Sequence, residues 1–293
     1  MTFSDYVNDL YAKAIVKDDR TQDWLLVSSI WPTLAITTTY LAVILGGQRV
    51  MRNRQPFQLN NLMMFYNFCL VLLNGYIYFE FVMTTWLNWD FSKVCMPVEH
   101  GKASADRLAA ACWWFTFSKS IELIDTVFFM LRKKNNQITF LHLYHHFTMP
   151  LIWYVGVKYV PGGESYYSAS INSGIHVLMY TYYLLSAMGP HMQKYLWWKR
   201  YMTVMQLIQF WAILFHTSYA IYSDCGYPNL YNWALIFYDF THIALFSNFY
   251  YQTYSKKAKE ARLKKMEQNG TSRKNGLVHE PSEGKMRLRS RKD

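Results

Sequence analysis

The chain has 293 residues, 52% of them hydrophobic and 18% aromatic, far from the composition of an ordinary soluble domain. Its mean hydropathy of -0.06 averages a charged tail with many Tyr and Trp residues that suit a membrane interface, so local windows decide, and they indicate an integral membrane protein. The formal net charge of +11 comes with no recognisable nucleic-acid-binding module, which excludes a nucleic-acid partner.

Residues 1–24 carry Asp5, Asp9, Asp18, Asp19 and Asp23 and lack the pattern of a cleaved signal peptide, so they read as a lumenal N-terminal segment. Seven stretches follow, near 25–47, 62–84, 109–131, 138–157, 166–188, 202–222 and 231–254, each able to cross a hydrocarbon core that needs about 20 mainly apolar residues. Residues 25–254 thus form an all-α, seven-helix membrane domain. From residue 255 to residue 293 the apolar pattern stops, and a disordered basic cytosolic tail is expected. Within that tail Arg289 and Arg291 resemble an endoplasmic-reticulum retrieval signal, and the sequon at Asn269 should stay unmodified in the cytosol.

Charge fixes the expected orientation. The loops after spans one, three and five hold Arg49, Arg52 and Arg54, then Arg132, Lys133 and Lys134, then Lys194, Lys199 and Arg200. The alternate loops are balanced or nearly uncharged, so the positive-inside rule places the N-terminus in the lumen and the C-terminus in the cytosol. Cys69 and Cys112 lie inside spans, whereas Cys95 and Cys225 fall in loops on the oxidising side, where a disulfide between them is expected.

Ionisable groups inside a span are costly and are usually functional. Span three carries Lys119, Glu122 and Asp125 three residues apart on neighbouring parts of one helix face. Span four opens with His142, His145 and His146, whose offsets of three and four turn all three imidazoles to one side. Span five contributes Asn172, His176, Tyr180 and Tyr183, and span six Thr203, Gln206 and Gln209. Each stripe alone has a structural alternative in interhelical hydrogen bonding. Counting about 1.5 Å per residue from the cytosolic boundaries, His142 to His146 lie roughly 7 to 14 Å inside, Glu122 and Asp125 roughly 10 to 15 Å, Gln206 and Gln209 roughly 8 to 12 Å, and Tyr183 to His176 roughly 9 to 20 Å. This shared depth argues for one site open to the cytosol, above a lumenal half whose apolar wall could accept a long apolar chain.

Two chemistries use histidine clusters in membranes. Paired irons need several histidine boxes, and this chain has one; His216 and His242 are single residues without a partner at ligand spacing. A single metal held by His142, His145, His146 and His176 is a further alternative. The other chemistry uses imidazole as nucleophile or general base, with a sheltered acyl-imidazole as intermediate. A receptor reading places its polar site at the outer face, opposite to the cluster here.

The runs Lys119-x-x-Glu122-x-x-Asp125-Thr126, His142-x-x-His145-His146, His176-x-x-Met179-Tyr180-x-Tyr182-Tyr183 and Thr203-x-x-Gln206-x-x-Gln209 together resemble the signature set of the very-long-chain fatty acid elongases. Residues 131–137 and 193–201 resemble the animal elongase 4 type in particular. The resemblance implies seven transmembrane helices in the endoplasmic reticulum, six of them forming a barrel around an acyl-chain tunnel. It implies condensation of a fatty acyl-CoA with malonyl-CoA to 3-oxoacyl-CoA, CoA and carbon dioxide, with no bound cofactor or metal. His145 would take the acyl group, His142 and His146 would orient it or move protons, and His176 with Asn172 would stabilise an enolate. Lys119, Glu122, Asp125, Tyr180, Tyr183, Gln206 and Gln209 would shape the site wall. Arg132, Lys133, Lys134, Lys199, Arg200 and Lys256 are candidates to bind the phosphates of CoA. Association with other elongases or with later enzymes of the elongation cycle is the partner expectation.

Overall fold

The computed structural model describes residues 15–256 together with residues 4, 5, 8 and 12. Among the described residues the secondary structure is helical, with no strand. The helices, in chain order, are α1 (Ile30–Met51), α2 (Asn60–Phe81), α3 (Ala103–Glu122), α4 (Ile124–Leu131), α5 (Phe140–Tyr159), α6 (Ser165–Ala187), α7 (Lys199–Tyr222) and α8 (Asn229–Tyr250). α2 runs directly into a π-helical turn over Val82–Trp86, and α3 and α4 are separated only by Leu123. Each long helical segment falls within a few residues of one of the seven expected stretches.

Three segments are long and apolar enough to cross a membrane, Ile30–Met51, Asn60–Trp86 and Lys199–Tyr222. α5, α6 and α8 are of similar length, but they carry the His, Asn, Ser, Tyr and Asp side chains that lower their hydropathy. α3 carries Asp106, Arg107, Lys119 and Glu122 for the same effect.

Packing follows a consistent neighbour order. α2 lies closely along α6, α3 packs on α2 and α5, α6 on α7, and α1 on α4 and α5. Gly174 is the reason α2 and α6 can approach: a Cβ there would lie 3.1 Å from the Tyr78 ring. α8 meets α5 through Tyr144 OH to Thr241 Oγ1 at 3.0 Å and Thr148 Oγ1 to Tyr238 OH at 2.7 Å, and meets α7 through the Phe210 and His242 rings, 5.3 Å apart. Arg107 of α3 pairs with Glu80 of α2, Nη2 to Oε1 at 3.1 Å. A core of Ile77, Phe81, Leu108, Phe115, Val157 and Tyr166 fills the end of the bundle away from the histidines.

At that end the connections are tied down. Cys95, in the loop after α2, is disulfide-bonded to Cys225, in the loop after α7. Lys158 near the end of α5 donates to the carbonyls of Val27 and Ser28, both at 3.1 Å, and Thr21 Oγ1 donates to Val157 O at 2.8 Å. Asp18 accepts from Arg20 at 2.7 Å and lies 2.9 Å from His100. Burial opposes the Asp18 charge, yet the Arg20 hydrogen bonds and charge, with His100, hold the carboxyl below its ordinary value.

The chain divides into two units, Met1–Ser247 and Asn248–Asp293. The described part of the second unit is helical, its π turn Tyr251–Lys256 bringing the Tyr250 and Tyr254 rings to 5.3 Å. The basic run beyond Lys256, the sequon at Asn269 and the terminal arginines lie outside the described residues.

Candidate active site

The histidine box opens α5, and its position is set by local chemistry. Thr139 sits in an extended conformation at the N-cap, and its hydroxyl accepts from the backbone N–H of His142 at 3.2 Å. The helix then carries His142 and His146 one turn apart, with ring centroids 4.2 Å from one another, and His145 5.3 Å from His146. Pro150 lies inside α5, and without an N–H it cannot bond the carbonyl of His146, which frees that carbonyl immediately behind the box.

His142 is fixed from outside its helix. Its Nε2 lies 2.8 Å from Thr126 Oγ1, which is 3.0 Å from Tyr40 OH. His145 differs: among the described residues no side chain hydrogen-bonds its imidazole, and it lines a cavity. His146 is buried against the Tyr40 ring, 6.5 Å away.

The charged face of α3 meets α6. Lys119 Nζ donates to both oxygens of Glu122 at 2.9 and 3.1 Å, and His176 Nδ1 lies 3.2 Å from each of Lys119 Nζ and Glu122 Oε1. All three side chains are buried. His176 therefore has two states available: with Nδ1 bare it accepts from Lys119 and keeps its proton on Nε2, and with Nδ1–H it donates to Glu122 and leaves Nε2 a base. The helix break at Leu123 separates this trio from Asp125, which instead accepts from Tyr180 OH at 2.9 Å. The Tyr180 and Tyr183 rings meet edge to face at 6.0 Å.

A cavity of about 260 Å³ runs between α3, α5, α6, α7 and α8, with His145, Asn172 and Gln209 in its wall and Ile152, Val155, Ile213 and Leu235 among its apolar lining. The wall is mainly apolar, as expected, but it also carries polar groups that the sequence alone did not place there. α8 sets Asn232, Asp239 and His242 into the cavity, and Glu164 and Ser168 also line it. Asn172 Oδ1, Gln209 Oε1, Asp239 Oδ2 and His242 Nε2 are buried without a hydrogen-bond partner among the described residues. His242, set aside from the sequence as a lone histidine, stands with its ring 5.7 Å from that of His145. Asn232, Leu235, Asp239 and His242 recur at helical spacing, but in sequence that stripe reads equally as interhelical hydrogen bonding until the helix facing it is known. Gln206, by contrast, turns away from this cavity, its amide 3.9 Å from the Met179 sulfur, and Thr203 is buried near it.

A second cavity, about 330 Å³, lies at the histidine end and is lined by Asp125, Arg132, Lys134, Asn136 and Tyr183. Of the proposed phosphate ligands it gathers Arg132 and Lys134. Lys133 is engaged elsewhere: its backbone has φ 55° and its ammonium donates to the carbonyls of Arg52 and Arg54 at 3.0 and 2.9 Å. Lys199 and Arg200 are exposed at the start of α7, and Lys256 is exposed in the second unit. Among the described residues no cluster of His, Cys, Asp and Glu has the arrangement of a metal site.

Apolar helices long enough to span a bilayer, together with buried charge and histidine beside a largely apolar cavity, define a multi-pass membrane protein with an internal polar centre. Residues 25–262 match the profile of the ELO, GNS1/SUR4 family, and the chain belongs to that family. It is 47% identical over 258 residues to very long chain fatty acid elongase 4 of Homo sapiens, covering 88% of this chain and 82% of that one. It is 45% identical over 260 residues to very long chain fatty acid elongase 5 of Tachysurus fulvidraco, covering 89% and 87%. Very long chain fatty acid elongase 1 of Homo sapiens is 46% identical over 257 residues, with 86% and 91% covered.

Proposed function

We propose that this chain is a very-long-chain fatty acid elongase that condenses a fatty acyl-CoA with malonyl-CoA, giving 3-oxoacyl-CoA, CoA and carbon dioxide. The observation that carries the reading is His145, whose imidazole has no side-chain hydrogen-bond partner among the described residues and stands in the wall of a mainly apolar cavity. Family membership and the named relatives supply the reaction class. In this reading seven helices span the endoplasmic-reticulum membrane, with the N-terminus lumenal and the C-terminus cytosolic. The neighbour order α2, α3, α5, α8, α7, α6 supports a six-helix ring around the acyl tunnel.

A bare nitrogen of His145 attacks the thioester carbonyl, the carbon–sulfur bond breaks, and the CoA thiolate leaves with a proton. The acyl-imidazole is kept from water by the apolar wall. Malonyl-CoA then loses carbon dioxide, and its enolate carbon attacks the acyl carbon, releasing His145 and forming the new carbon–carbon bond. Asn172 stands in the same wall as His145, and the Asn172 amide with the Nε2–H state of His176 would stabilise the enolate oxygen. Lys119 and Glu122 hold His176, while Thr126 and Tyr40 hold His142, which with His146 orients His145 or relays its proton. Arg132 and Lys134 receive the CoA phosphates at the second cavity.

The test is mass spectrometry of purified protein incubated with acyl-CoA alone and then with malonyl-CoA. Acyl adduct is expected on His145 and absent from His145→Ala, and His176→Ala should depress condensation more than acylation. Acyl trapped on another residue, or full activity without His145, overturns the covalent route and leaves general-base chemistry.

A further inference from the structure

Asp239 and His242 lie on the cavity face of α8, 3% and 1% exposed, and the mechanism above uses neither. His242 Nδ1 is 3.0 Å from the Tyr238 carbonyl, to which it donates, so the tautomer is set and Nε2 is left as a bare acceptor. Asp239 Oδ2 and, from α7, Gln209 Oε1 likewise have no partner among the described residues. The surrounding wall is apolar, with Phe210, Ile213 and Leu235. Buried polar atoms of this kind cost free energy until a partner reaches them, and a hydrocarbon chain bearing a hydroxyl, which can donate to one of them, relieves part of that cost.

The geometry points to a hydroxyl-recognition point in the tunnel wall: Asp239 and His242, with Gln209, select an acyl chain that carries a hydroxyl group near its reacting end. The inference rests on reading the cavity as the acyl tunnel. His242 is beside His145, and Asp239 lies three residues, roughly 4.5 Å, further along the helix axis, which places the hydroxyl within the first several carbons from the thioester. The hydroxyl donates to the bare Nε2 of His242, beside the Asp239 carboxyl, and remains chemically unchanged by the condensation.

The experiment uses the purified full chain and acyl-CoAs of one length, unsubstituted, hydroxylated carbon by carbon along the first half, or carrying a keto group at the same carbons. Non-hydrolysable thioether analogues of the same set are measured for binding by thermal shift, so the readout does not depend on turnover. The hydroxyl is expected to improve kcat/KM and binding about tenfold to a hundredfold at one position. The keto chain, which only accepts, cannot satisfy the bare Nε2 of His242 and should show a smaller gain than the hydroxylated chain. In Asp239→Leu and His242→Phe the hydroxyl-to-plain ratio should fall toward one. Equal handling of plain and hydroxylated chains by the wild-type protein, as when resident water satisfies the acceptors, overturns the inference; so does a preference that survives in Asp239→Leu. Absence of any malonyl-CoA-dependent product overturns the elongase reading instead, and the thioether binding series then decides the hydroxyl question separately.

Discussion

Lys119 and Glu122 are each about 1% exposed in the side chain, so neither charge has water to fall back on. Lys119→Met should cost about 3–5 kcal/mol, because it strands the Glu122 carboxylate, whereas Lys119→Met with Glu122→Leu should recover most of that loss. Thermal unfolding in detergent reads both; similar stability for the single and double variants would contradict the pairing. Glu164, just ahead of α6, gives a test with a pH sign. Burial pushes its carboxyl from 4.5 up to about 7, although the Met96 N–H donates to it. The folded protein then holds a proton that the unfolded chain has lost, so stability falls as pH rises from 4.5 through about 7 and levels off above. The drop should be on the order of 2–3 kcal/mol and vanish in Glu164→Gln. His216 lies 3.4 Å from the carboxylate and titrates together with it, so the two pH profiles of Tm are compared in a His216→Phe background. At this scale the sequence revealed side chains that come in helical register, as with His142, His145 and His146. It did not reveal Asp239 and His242, because their significance depends on a facing helix distant in sequence: a polar residue in an aromatic span reads equally as interhelical glue until the groups opposite it are known.

At the scale of elements, Thr139 is a cap whose loss is measurable. Thr139→Ala should destabilise by about 1 kcal/mol, and because the cap begins the turn that carries His142, the activity loss should exceed what the stability change explains; unaltered kcat at full folding would contradict this. The long helices were visible from apolar length, with bounds differing by a few residues from those observed. The break at Leu123 was not, since Ile121-Glu122-Leu123-Ile124 contains neither Gly nor Pro to signal it. Nor was the ordering of residues 15–29, which depends on Lys158 and Thr21 reaching backbone carbonyls far along the chain. Gly163 shows the same limit: its φ of 53° and a Cβ position 2.9 Å from Met96 O leave no room for a side chain, yet nothing in its neighbours' identities announces the approach of residues 96 and 97.

At the scale of the molecule, cysteine placement was informative because it is a property of sides rather than of contacts. Cys95 and Cys225, 130 residues apart, are bonded, and replacing both with Ser should lower stability by about 2–4 kcal/mol. Matching Tm values for the wild type and the double Ser variant under oxidising conditions would contradict that. The character of the cavity wall was less legible, since it arises where five helices meet and each contributes a minority of its residues.

The Cys95–Cys225 bond also makes residues 96–224 a closed ring of chain that contains Lys119, Glu122, His142, His145, His146 and His176. A single protease cut in the exposed stretch 134–137 would open that ring without releasing a fragment. Nicked protein should migrate as one species on a denaturing gel until a reductant is added, and only then separate into two pieces, one bearing the histidine box and the other Lys119 and Glu122.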